Sequence, residues 1–463
     1  MRDREELLDY ENTEQMIVGR TIESRVPEAF LEYSMSVITE RAIPSVIDSF
    51  KPVQRKIIDM SNDIWKNGNE KSMKVFQLCG QTCAKKLYVH GDSSCNGAII
   101  NMCQAFKNNL PVLIADGQVG SLRVRSAASP RYVGCHLSPN FRLVYKDFEL
   151  LEKRNEEGQD IEPYWFLPVI PMVIVNGSSG LAVGFASNIL NRNPKDVANA
   201  CIDYLNGKKI KELKPWLSEF SGEWSRDVEN KNKWYSKGIY TINEKKGEVH
   251  ITELPPSWEF EKYETYLDSL VDKKVIKDYD NNSSAGVDYL LKFKKDDLQE
   301  LIANGKLESI LKIVDSDTEN LTTLDENEKL KIFDCVEDIV KYFVDFRLVY
   351  YQKRKDFLID KLSKELRVLA FKAKFIKSII DKKLVVNNVK KEVIVNWLDE
   401  NKFEKIDDSY NYLLNMPIYS LTNERYMELM KNAKDKKAEL DSIKEKEPKE
   451  MYLTDLNELK KKL

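Results

Sequence analysis

The feature that most constrains the fold of this chain is a long stretch that lacks helix-breaking residues. No proline stands between Pro256 and Pro417, and Gly305 is the last glycine of the sequence. Because proline breaks helices and glycine weakens them, most of this stretch can form long helices. Spacings of four and three residues, typical of the buried stripe of a coiled coil, separate Leu358, Leu362, Leu366, Leu369, Ala373, Ile376 and Ile380. We therefore predict a coiled-coil arm over residues 331–380.

A second helical run, rich in lysine and glutamate, follows Thr422. We expect residues 421–463 to form a return arm antiparallel to the first, with the apolar residues 381–420 as a knob between the two arms. The same pattern also suits an ordinary helical bundle, and it does not by itself separate the two architectures.

Residues 191–330 have a different sequence pattern, in which short apolar runs alternate with charged loops. These runs, rich in β-branched and aromatic residues, occupy residues 238–242, 248–254, 289–293 and 309–314. Such runs are typical of strands. We therefore predict strands at these positions, within an α/β domain.

Residues 29–190 mix helical periodicity with glycine-rich turns. Val53, Ile57 and Ile64 recur at helical spacing after Pro52, a favourable first residue for a helix. Residues 71–87 form a second amphipathic pattern, and a turn at His90 and the following glycine comes next. This order predicts a helix-turn-helix. The polar and acidic residues 1–28 are interpreted as an N-terminal arm.

The composition suits an intracellular protein with substantial cores. Hydrophobic residues make up 42% of the 463 positions, which suggests about two to four domains. No run of 18 apolar residues and no signal peptide is visible, so we expect a soluble, cytoplasmic protein without a membrane partner. The net charge is −3, but residues 30–140 hold 13 lysines and arginines against 8 acidic residues. Basic charge therefore gathers in one region, a mild excess that is often only a solvated surface.

The cysteines do not form a recognisable metal-binding pattern. There are seven, and Cys79 and Cys83 stand one helical turn apart, but only three histidines accompany them and no zinc-site spacing appears. Free cysteines are among the most buried residue types. We therefore interpret them as small core residues and expect no metal ligands in this chain.

The segment AASPRY, residues 127–132, carries the most suggestive chemistry of the sequence. It places the phenol of Tyr132 directly after Arg131, in a region that also contains Arg123 and Arg125. A tyrosine hydroxyl can attack a phosphodiester, but its ordinary pKa of about 10 means that nearby cations or a metal must activate it. An isolated Arg-Tyr pair is nevertheless far more often a packing feature.

Seven segments in order resemble the breakage-reunion part of type IIA DNA topoisomerases. They are RAIPSVIDSFKPVQRKI (residues 41–57), KVFQLCGQTCAKKLYVHGD (74–92), SAASPRYVGCHLSP (126–139), IEPYWFLPVIPMVIVNGSSGLAVGF (161–185), ITELP (251–255), FRLVYYQKRKDFL (346–358) and LLNMPIYSLT (413–422). The resemblance covers residues 30 to about 435 and is closer to the eukaryotic-like branch than to bacterial gyrase. The short length is similar to that of the medium subunits of T-even-type bacteriophages.

The resemblance implies a mixed α/β, multidomain α+β fold with four parts. Residues 29–190 would form a winged-helix DNA-gate domain with the active-site tyrosine, and residues 191–330 an α/β tower domain. Residues 331–380 and 421–463 would form the coiled-coil arms, and residues 381–420 a dimerisation knob, the C-gate. The implied activity is transient double-strand cleavage of DNA through 5′-phosphotyrosine links, followed by duplex passage and religation.

The resemblance also assigns roles to individual residues. The catalytic set would be Tyr132, Arg131, His90 and Arg41. The DNA-binding set would be Lys51, Arg55, Lys56, Lys74, Ser93, Arg123, Arg125 and Leu181. Leu181 stands where the family carries an aliphatic side chain that wedges between base pairs and bends the duplex. Outside this resemblance, each of these residues also suits an ordinary structural role: a helix cap, a solvated face or a core leucine.

Three departures from the family pattern stand out. Val89 replaces the first histidine of the eukaryotic-like Tyr-His-His-Gly motif, which leaves His90 alone. The loop after Gln118 is two residues shorter than the usual one. Ser93 matches the serine linked to quinolone contact, but Gly97 replaces the acidic residue one turn later, so the resemblance does not imply quinolone sensitivity.

The sequence contains no G-x-x-x-x-G-K-[ST] phosphate-binding loop. Asp315 and Asp317 have the letters of a metal-binding Asp-x-Asp, but their surroundings resemble a hairpin of the cleavage subunit. The resemblance therefore implies that a partner subunit hydrolyses ATP and holds most of the Mg²⁺, while this chain forms a homodimer on double-stranded DNA. The absence of a C-terminal wrapping domain favours relaxation and decatenation over supercoiling.

Two other classes of function remain open at this point. A DNA-bending architectural protein could keep the fold and the wedge but not cleave, although it would not need the Arg131–Tyr132 pair and His90. A helical scaffold or interaction protein would not need the DNA-facing segments in this order.

Overall fold

The computed structural model describes residues 22–66, 71–284, 286–406 and 408–463. The chain divides into two compact units. The first contains the described residues up to Asp345 together with residues 456–463, and the second contains residues 346–455. The predicted arm 1–28 lies outside the described residues except for residues 22–28, which belong to the first helix.

The N-terminal part of the first unit combines helices with small antiparallel sheets. Its helices are α1 (Ile22–Ser36), a π-helix (Val37–Ala42), α2 (Pro52–Ile64), α3 (Val75–Lys85), α4 (Asp92–Cys103), α5 (Pro139–Val144), a 3₁₀ turn (Phe148–Leu150), α6 (Met172–Val175) and α7 (Pro194–Leu205). Its strands are β1 (Met73–Lys74), β2 (Leu113–Asp116), β3 (Gly134–Leu137), β4 (Tyr145–Lys146), β5 (Lys153–Glu156), β6 (Gln159–Pro163), β7 (Leu167–Pro168), β8 (Ser178–Leu181) and β9 (Ala186–Ile189). The first three strands form a sheet in the order β1-β3-β2, and β4-β7, β5-β6 and β8-β9 form pairs.

The predicted helix-turn-helix is present. Helix α2 begins at Pro52, as expected, and the side chain of Gln54 accepts a hydrogen bond from the N–H of Lys51 over 2.9 Å, which caps the helix. Helix α3 follows, and Gly91, with φ 94°, turns the chain into α4. Such a φ favours glycine because it has no Cβ atom. The turn therefore fixes the position of His90 between α3 and α4.

The rest of the first unit is the predicted α/β region. It contains β10 (Glu223–Arg226), β11 (Lys233–Lys237), β12 (Ile239–Asn243), β13 (Glu248–Glu253), α8 (Phe260–Asp272), β14 (Asp278–Asn281), β15 (Tyr289–Lys292), α9 (Lys295–Ala303), α10 (Leu307–Leu311), β16 (Val314–Thr318), β17 (Thr322–Leu324) and β18 (Leu330–Ile332). The sheets have the orders β12-β13-β15-β14 and β10-β11-β16, and β17 pairs with β18. Helix α8 packs Tyr263 and Leu267 against Val249 and Leu291 of the four-stranded sheet.

One of the four strand predictions was wrong. Residues 309–314 are not a strand, because the helix Leu307–Leu311 covers their first half and only the last residue begins β16. Lys312 adopts φ 54°, a left-handed conformation that ends the helix. An apolar run this short does not distinguish a helical turn from a strand.

The second unit is helical and contains the predicted long helix. Its elements are the main part of α11 (Val336–Ile380), α12 (Lys391–Glu400), α13 (Asn411–Leu414), a 3₁₀ turn (Ile418–Ser420), α14 (Asn423–Glu445) and the start of α15 (Pro448–Lys462). The knob has its own core, which includes Leu398, Phe403 and Leu413.

The helices of the second unit pair in antiparallel fashion. Ile376 of α11 packs against Leu429, and Glu365, earlier on α11, forms an ion pair of 2.7 Å with Lys436. Earlier still, the ring of Tyr351 stacks on Tyr452 with centroids 4.4 Å apart. Later residues of α11 therefore contact earlier residues of the return arm, and earlier residues of α11 contact later ones. This antiparallel direction is the one expected for two arms joined by a knob.

The return arm is not one continuous helix. It is interrupted between Glu445 and Pro448, where proline removes a backbone donor and starts a new helix. The predicted domain boundaries remain predictions. Across the described ranges, no helix is both long and apolar enough to span a membrane.

Candidate active site

Tyr132 is presented to solvent from a fixed backbone. It lies in the loop that leads into β3, where its N–H donates to the carbonyl oxygen of Ser129 over 2.9 Å. The N–H of Phe76, in the first turn of α3, donates to the carbonyl oxygen of Pro130 over 3.3 Å. The side chain of Tyr132 is 69% exposed, whereas Val133 beside it is 1% exposed. The phenol can therefore meet a large substrate without unfolding the loop.

Lys74 joins the start of α3 to this tyrosine. Its backbone pairs with Gly134 of β3, and its ammonium group donates to the carbonyl oxygen of Tyr132 over 2.7 Å. Its N–H donates to the side chain of Gln77 over 3.1 Å, which caps α3. Since the lysine side chain is exposed, it places a positive charge beside the tyrosine at the protein surface.

The other predicted catalytic residues are also exposed. Arg131 precedes the tyrosine, His90 precedes the Gly91 turn, and Arg41 lies in the last turn of the π-helix. The ring of His90 packs edge-on against Tyr88, with centroids 5.7 Å apart. Burial raises the pKa of Tyr88, and the positive charge of Arg41 partly opposes that rise. Tyr88 is therefore linked to His90 by a ring contact and to Arg41 by charge.

Helix α3 connects this group to the Tyr132 loop. Its first turn holds the loop through Phe76, and one turn later the thiol of Cys79 donates to the carbonyl oxygen of Asp92 over 3.6 Å. Asp92 begins α4 just after His90, and Ser93 is exposed in the same first turn. The structure thus ties the tyrosine loop and the histidine turn to neighbouring turns of one helix.

Arg55 and Lys56 are not exposed phosphate contacts. Arg55 is 4% exposed, and its guanidinium donates to both carboxylate oxygens of the fully buried Asp48, over 2.8 and 3.0 Å. Lys56 donates to the carbonyl oxygen of Lys86 over 2.7 Å and lies 3.0 Å from the carboxylate of Glu162. A charge taken from water needs such partners. The predicted phosphate-binding role is therefore corrected to an internal one for both residues.

Arg123 is likewise an anchor inside the protein. It is 7% exposed and donates to the carboxylate of Glu253 over 2.5 Å and to the carbonyl oxygens of Pro255 and Trp258 over 2.9 and 2.8 Å. Burial lowers its pKa, and Glu253 opposes that change. Its predicted contact with DNA is corrected to a contact with the ITELP segment. That segment therefore serves to hold the loop that carries the tyrosine.

Arg125, by contrast, is only half-buried. Its guanidinium donates to the carbonyl oxygen of Pro256 over 2.5 Å. It also lines a cleft of about 480 Å³ beside β8. Among the described residues that line this cleft, Lys51, Lys107 and Arg125 are positively charged and none is acidic. Burial lowers the pKa of Lys107, as does the neighbouring Arg125. This cleft therefore favours an anion.

Leu181 stands at the tip of a hairpin. It is 86% exposed and pairs with Ala186 at the end of strands β8 and β9. A Cβ atom on Gly180 would lie 2.0 Å from the carbonyl oxygen of Ala42, so only glycine permits this close approach of the hairpin to the π-helix. Lys51 adds a hydrogen bond of 2.8 Å to the carbonyl oxygen of Ser179. The exposed leucine is therefore supported on the segment that carries Arg41.

Sequence reasoning missed the acidic partners of these arginines. Glu253 lies 130 positions from Arg123, so the sequence gives no sign that the two meet, whereas Asp48 lies only 7 positions from Arg55, within one motif. The order of the motifs is the signal that could have suggested that these segments meet.

Comparisons with known proteins identify the family of the chain. The family model for the A-type subunit of DNA gyrase/topoisomerase IV matches residues 41–460. The DNA topoisomerase medium subunit of Enterobacteria phage T4 is 32% identical over 446 residues, which cover 96% of this chain and 99% of that protein. DNA topoisomerase 2 of Plasmodium falciparum is 34% identical over 468 residues, and the match covers 91% of this chain.

The chain spans about a third of that longer relative, 33% of its length. A crystal structure of the DNA-binding, cleavage and re-ligation domain of Plasmodium falciparum topoisomerase II matches with a TM-score of 0.83 and 33% sequence identity. The match covers 93% of this chain and 63% of that one, and it confirms the mixed α/β fold class. The chain belongs to the DNA gyrase/topoisomerase IV family of type II DNA topoisomerases, on the side of the A-type subunits.

Proposed function

We propose that this chain is the DNA-cleaving and religating subunit of an ATP-dependent type IIA DNA topoisomerase. The Tyr132 hydroxyl oxygen attacks a backbone phosphorus, and the bond from phosphorus to the 3′ oxygen of the neighbouring nucleotide breaks. The phenol loses a proton, the 3′ oxygen gains one, and the 5′ phosphate stays on the tyrosine. Attack by the 3′-hydroxyl reverses each step, so religation needs no external energy source.

The observation that carries this proposal is the exposed phenol on a pinned backbone. Tyr132 is 69% exposed, and the ammonium group of Lys74 is bound to its carbonyl oxygen. Arg131, His90 and Arg41 are exposed as well and supply further polar groups. Cations at such a site stabilise the charge that develops on the phosphoryl oxygens.

Fewer residues are available to bind DNA than the sequence suggested. Lys51, Lys74, Ser93 and Arg125 contact the backbone, where contacts position the duplex without selecting its sequence. Leu181 inserts between base pairs and bends the duplex, at a cost of a few kcal/mol per unstacked step. Cleavage is therefore broad in sequence preference.

The described residues of this chain do not fit a magnesium site. Mg²⁺ prefers carboxylate and water oxygens. In the parts of the chain that the structure describes, the one convergent group of three potential ligands consists of thiols. We therefore assign most of the Mg²⁺ binding to a partner subunit.

ATP hydrolysis is also assigned to a partner subunit, because the sequence shows no phosphate-binding loop. The knob supplies the homodimer contact: Ile418 and Tyr419 on its surface are 84% and 83% exposed. Exposed apolar side chains in such a patch are typical of interfaces. Two chains then provide one tyrosine for each strand. The assembly relaxes or decatenates DNA in the cytoplasm, which is that of the host if the chain is viral.

Covalent trapping tests the proposal. The chain is incubated with supercoiled DNA, Mg²⁺ and the candidate ATPase partner, denaturant is added before protease, and DNA with protein on its 5′ ends is scored. We expect linked breaks from the wild type and none from Tyr132→Phe. Tyr164→Phe is the matched control, since Tyr164 is also exposed and lies under Arg154, with 4.9 Å from the guanidinium to the ring centroid.

If Tyr132→Phe and Tyr164→Phe both lose the linkage, or if neither loses it, Tyr132 is not identified as the nucleophile. A wild type that bends DNA and never links to it would instead support the non-cleaving architectural function. Bending is measured independently, by energy transfer between dyes on the two ends of a short duplex.

A further inference from the structure

Three cysteine side chains converge between α3 and α4. Cys79 and Cys83 lie one turn apart on α3, and Cys95 lies on α4. Their sulfur atoms all lie within 4.8 Å of one another. Cys79 and Cys95 are buried, while Cys83 is half-buried. Among the residues that the structure describes, no other three histidine, cysteine or acidic side chains bring their ligand atoms together in this way.

The distances suit a single thiophilic ion. Zinc binds thiolate sulfur at about 2.3 Å, so two sulfurs on one tetrahedral zinc lie about 3.8 Å apart. Sulfurs within 4.8 Å of one another need to move together by no more than about 1 Å. Rotation about the χ1 angle of a cysteine moves its sulfur by more than this. The three donors are all soft, which selects for Zn²⁺ or Cu(I) over Mg²⁺.

The half-buried position of Cys83 gives an ion access to the three sulfur atoms. The other two thiols are enclosed, and the thiol of Cys79 points at the carbonyl oxygen of Asp92, 3.6 Å away. An ion held by the three sulfurs therefore meets solvent on the Cys83 side. A water molecule there completes a tetrahedral zinc site.

Burial alone does not mark these residues. Burial raises the pKa of Cys79 and Cys95, but it also raises that of Cys201, which lies on α7 outside the cluster. Isolated buried thiols of this kind behave as small apolar groups. What distinguishes the cluster is the convergence of three sulfurs from two helices.

We propose that Cys79, Cys83 and Cys95 form a binding site for one zinc ion that clamps α3 to α4. On binding, the three thiols release their protons and bind as thiolates. The clamp joins the two helices on either side of the His90 turn, so it fixes the turn without touching DNA. The proposed site does not depend on the cleavage reaction. It differs from the sequence-based expectation, in which the cysteines are core residues and do not bind a metal.

Cobalt substitution tests it on the full-length chain. The protein is reduced, stripped with a chelator and titrated with Co²⁺ without oxygen. We expect thiolate-to-cobalt charge-transfer absorption and intense visible bands of tetrahedral cobalt, which saturate at one ion per chain. Addition of Zn²⁺ should abolish these bands, and Zn²⁺ should raise the unfolding temperature of the stripped protein.

Cys83→Ser is the informative variant, because the substitution is nearly isosteric at a half-buried position and should leave the fold intact. We expect its affinity for Co²⁺ to fall at least tenfold, with an unchanged circular dichroism spectrum. Cys335→Ser is the matched control, since Cys335 is also half-buried but lies outside the cluster. Wild-type protein without charge-transfer bands, or equal bands in Cys83→Ser, would leave only three core thiols and overturn the proposal.

Discussion

The buried ion pair between Arg123 and Glu253 gives the sharpest test of how the tyrosine loop is held. Glu253 accepts hydrogen bonds from Arg123 over 2.5 Å and from the hydroxyl of Ser221 over 2.7 Å. It also accepts one from the backbone N–H of Ser221 over 3.2 Å. We choose Glu253→Gln, which keeps the shape of the side chain and removes its charge. The guanidinium is then left buried without its counter-ion.

The expected magnitude follows from that burial. Removal of one partner from a buried ion pair costs about 3 to 5 kcal/mol. Glutamine keeps some of the hydrogen bonds, so we expect a loss of about 3 kcal/mol in the free energy of unfolding, roughly a 100-fold change in the equilibrium constant. Glu428→Gln, in an exposed pair with Arg425, is the matched control and should cost less than about 1 kcal/mol.

Urea unfolding measures the stability, with tryptophan fluorescence as the signal, because the indole of Trp258 packs against the buried Tyr263 with ring centroids 5.3 Å apart. Covalent trapping measures the effect on the site, and we expect the yield of linked DNA to fall with DNA binding retained. If Glu253→Gln loses no more stability than Glu428→Gln, the ion pair does not anchor the loop.

Three further predictions concern the hairpin and the knob. Leu181→Ala should abolish DNA bending, measured by energy transfer between the ends of a short duplex, and change the unfolding free energy by less than about 0.5 kcal/mol; retained bending would remove the wedge role. Gly180→Ala should destabilise the protein by about 1 to 3 kcal/mol, because the new methyl group would meet the carbonyl oxygen of Ala42. Gly97→Ala is the control and should not destabilise the protein, because the space around Gly97 is open. Equal urea midpoints for the two variants would contradict this packing. Ile418→Glu should weaken dimerisation at least tenfold in sedimentation equilibrium, while Val228→Glu, at a fully exposed residue elsewhere, should leave it unchanged; equal dimer constants would place the contact elsewhere.

The long helix was predictable because its pattern is local. Proline and glycine affect only the neighbouring turns of a helix, and the apolar stripe from Leu358 to Ile380 repeats every one or two turns. Helix α11 covers the whole stripe. The interruption before Pro448 is equally local, because proline itself starts the new helix. The strand predicted at residues 309–314 was wrong because an apolar run this short does not distinguish a strand from the helix Leu307–Leu311, which ends at the left-handed Lys312.

The exposure of the site residues was only partly predictable. The motifs located Tyr132 and Leu181, and both side chains are exposed. They also suggested Arg55 and Arg123 as DNA contacts, although both are buried in ion pairs. A sequence shows that a residue carries charge, but the partner that neutralises it is set by the tertiary fold.

The distance along the chain between Arg123 and Glu253 has a consequence for synthesis. The acid emerges from the ribosome 130 residues after the arginine. At about 5 to 20 residues per second, the loop that carries Tyr132 lacks this ion pair for roughly 7 to 26 s after it is made. A nascent or truncated chain that ends before the ITELP segment therefore keeps the contacts of Lys74 and Phe76 with the Tyr132 loop but lacks the attachment through Arg123, which forms only after residue 253 has been translated.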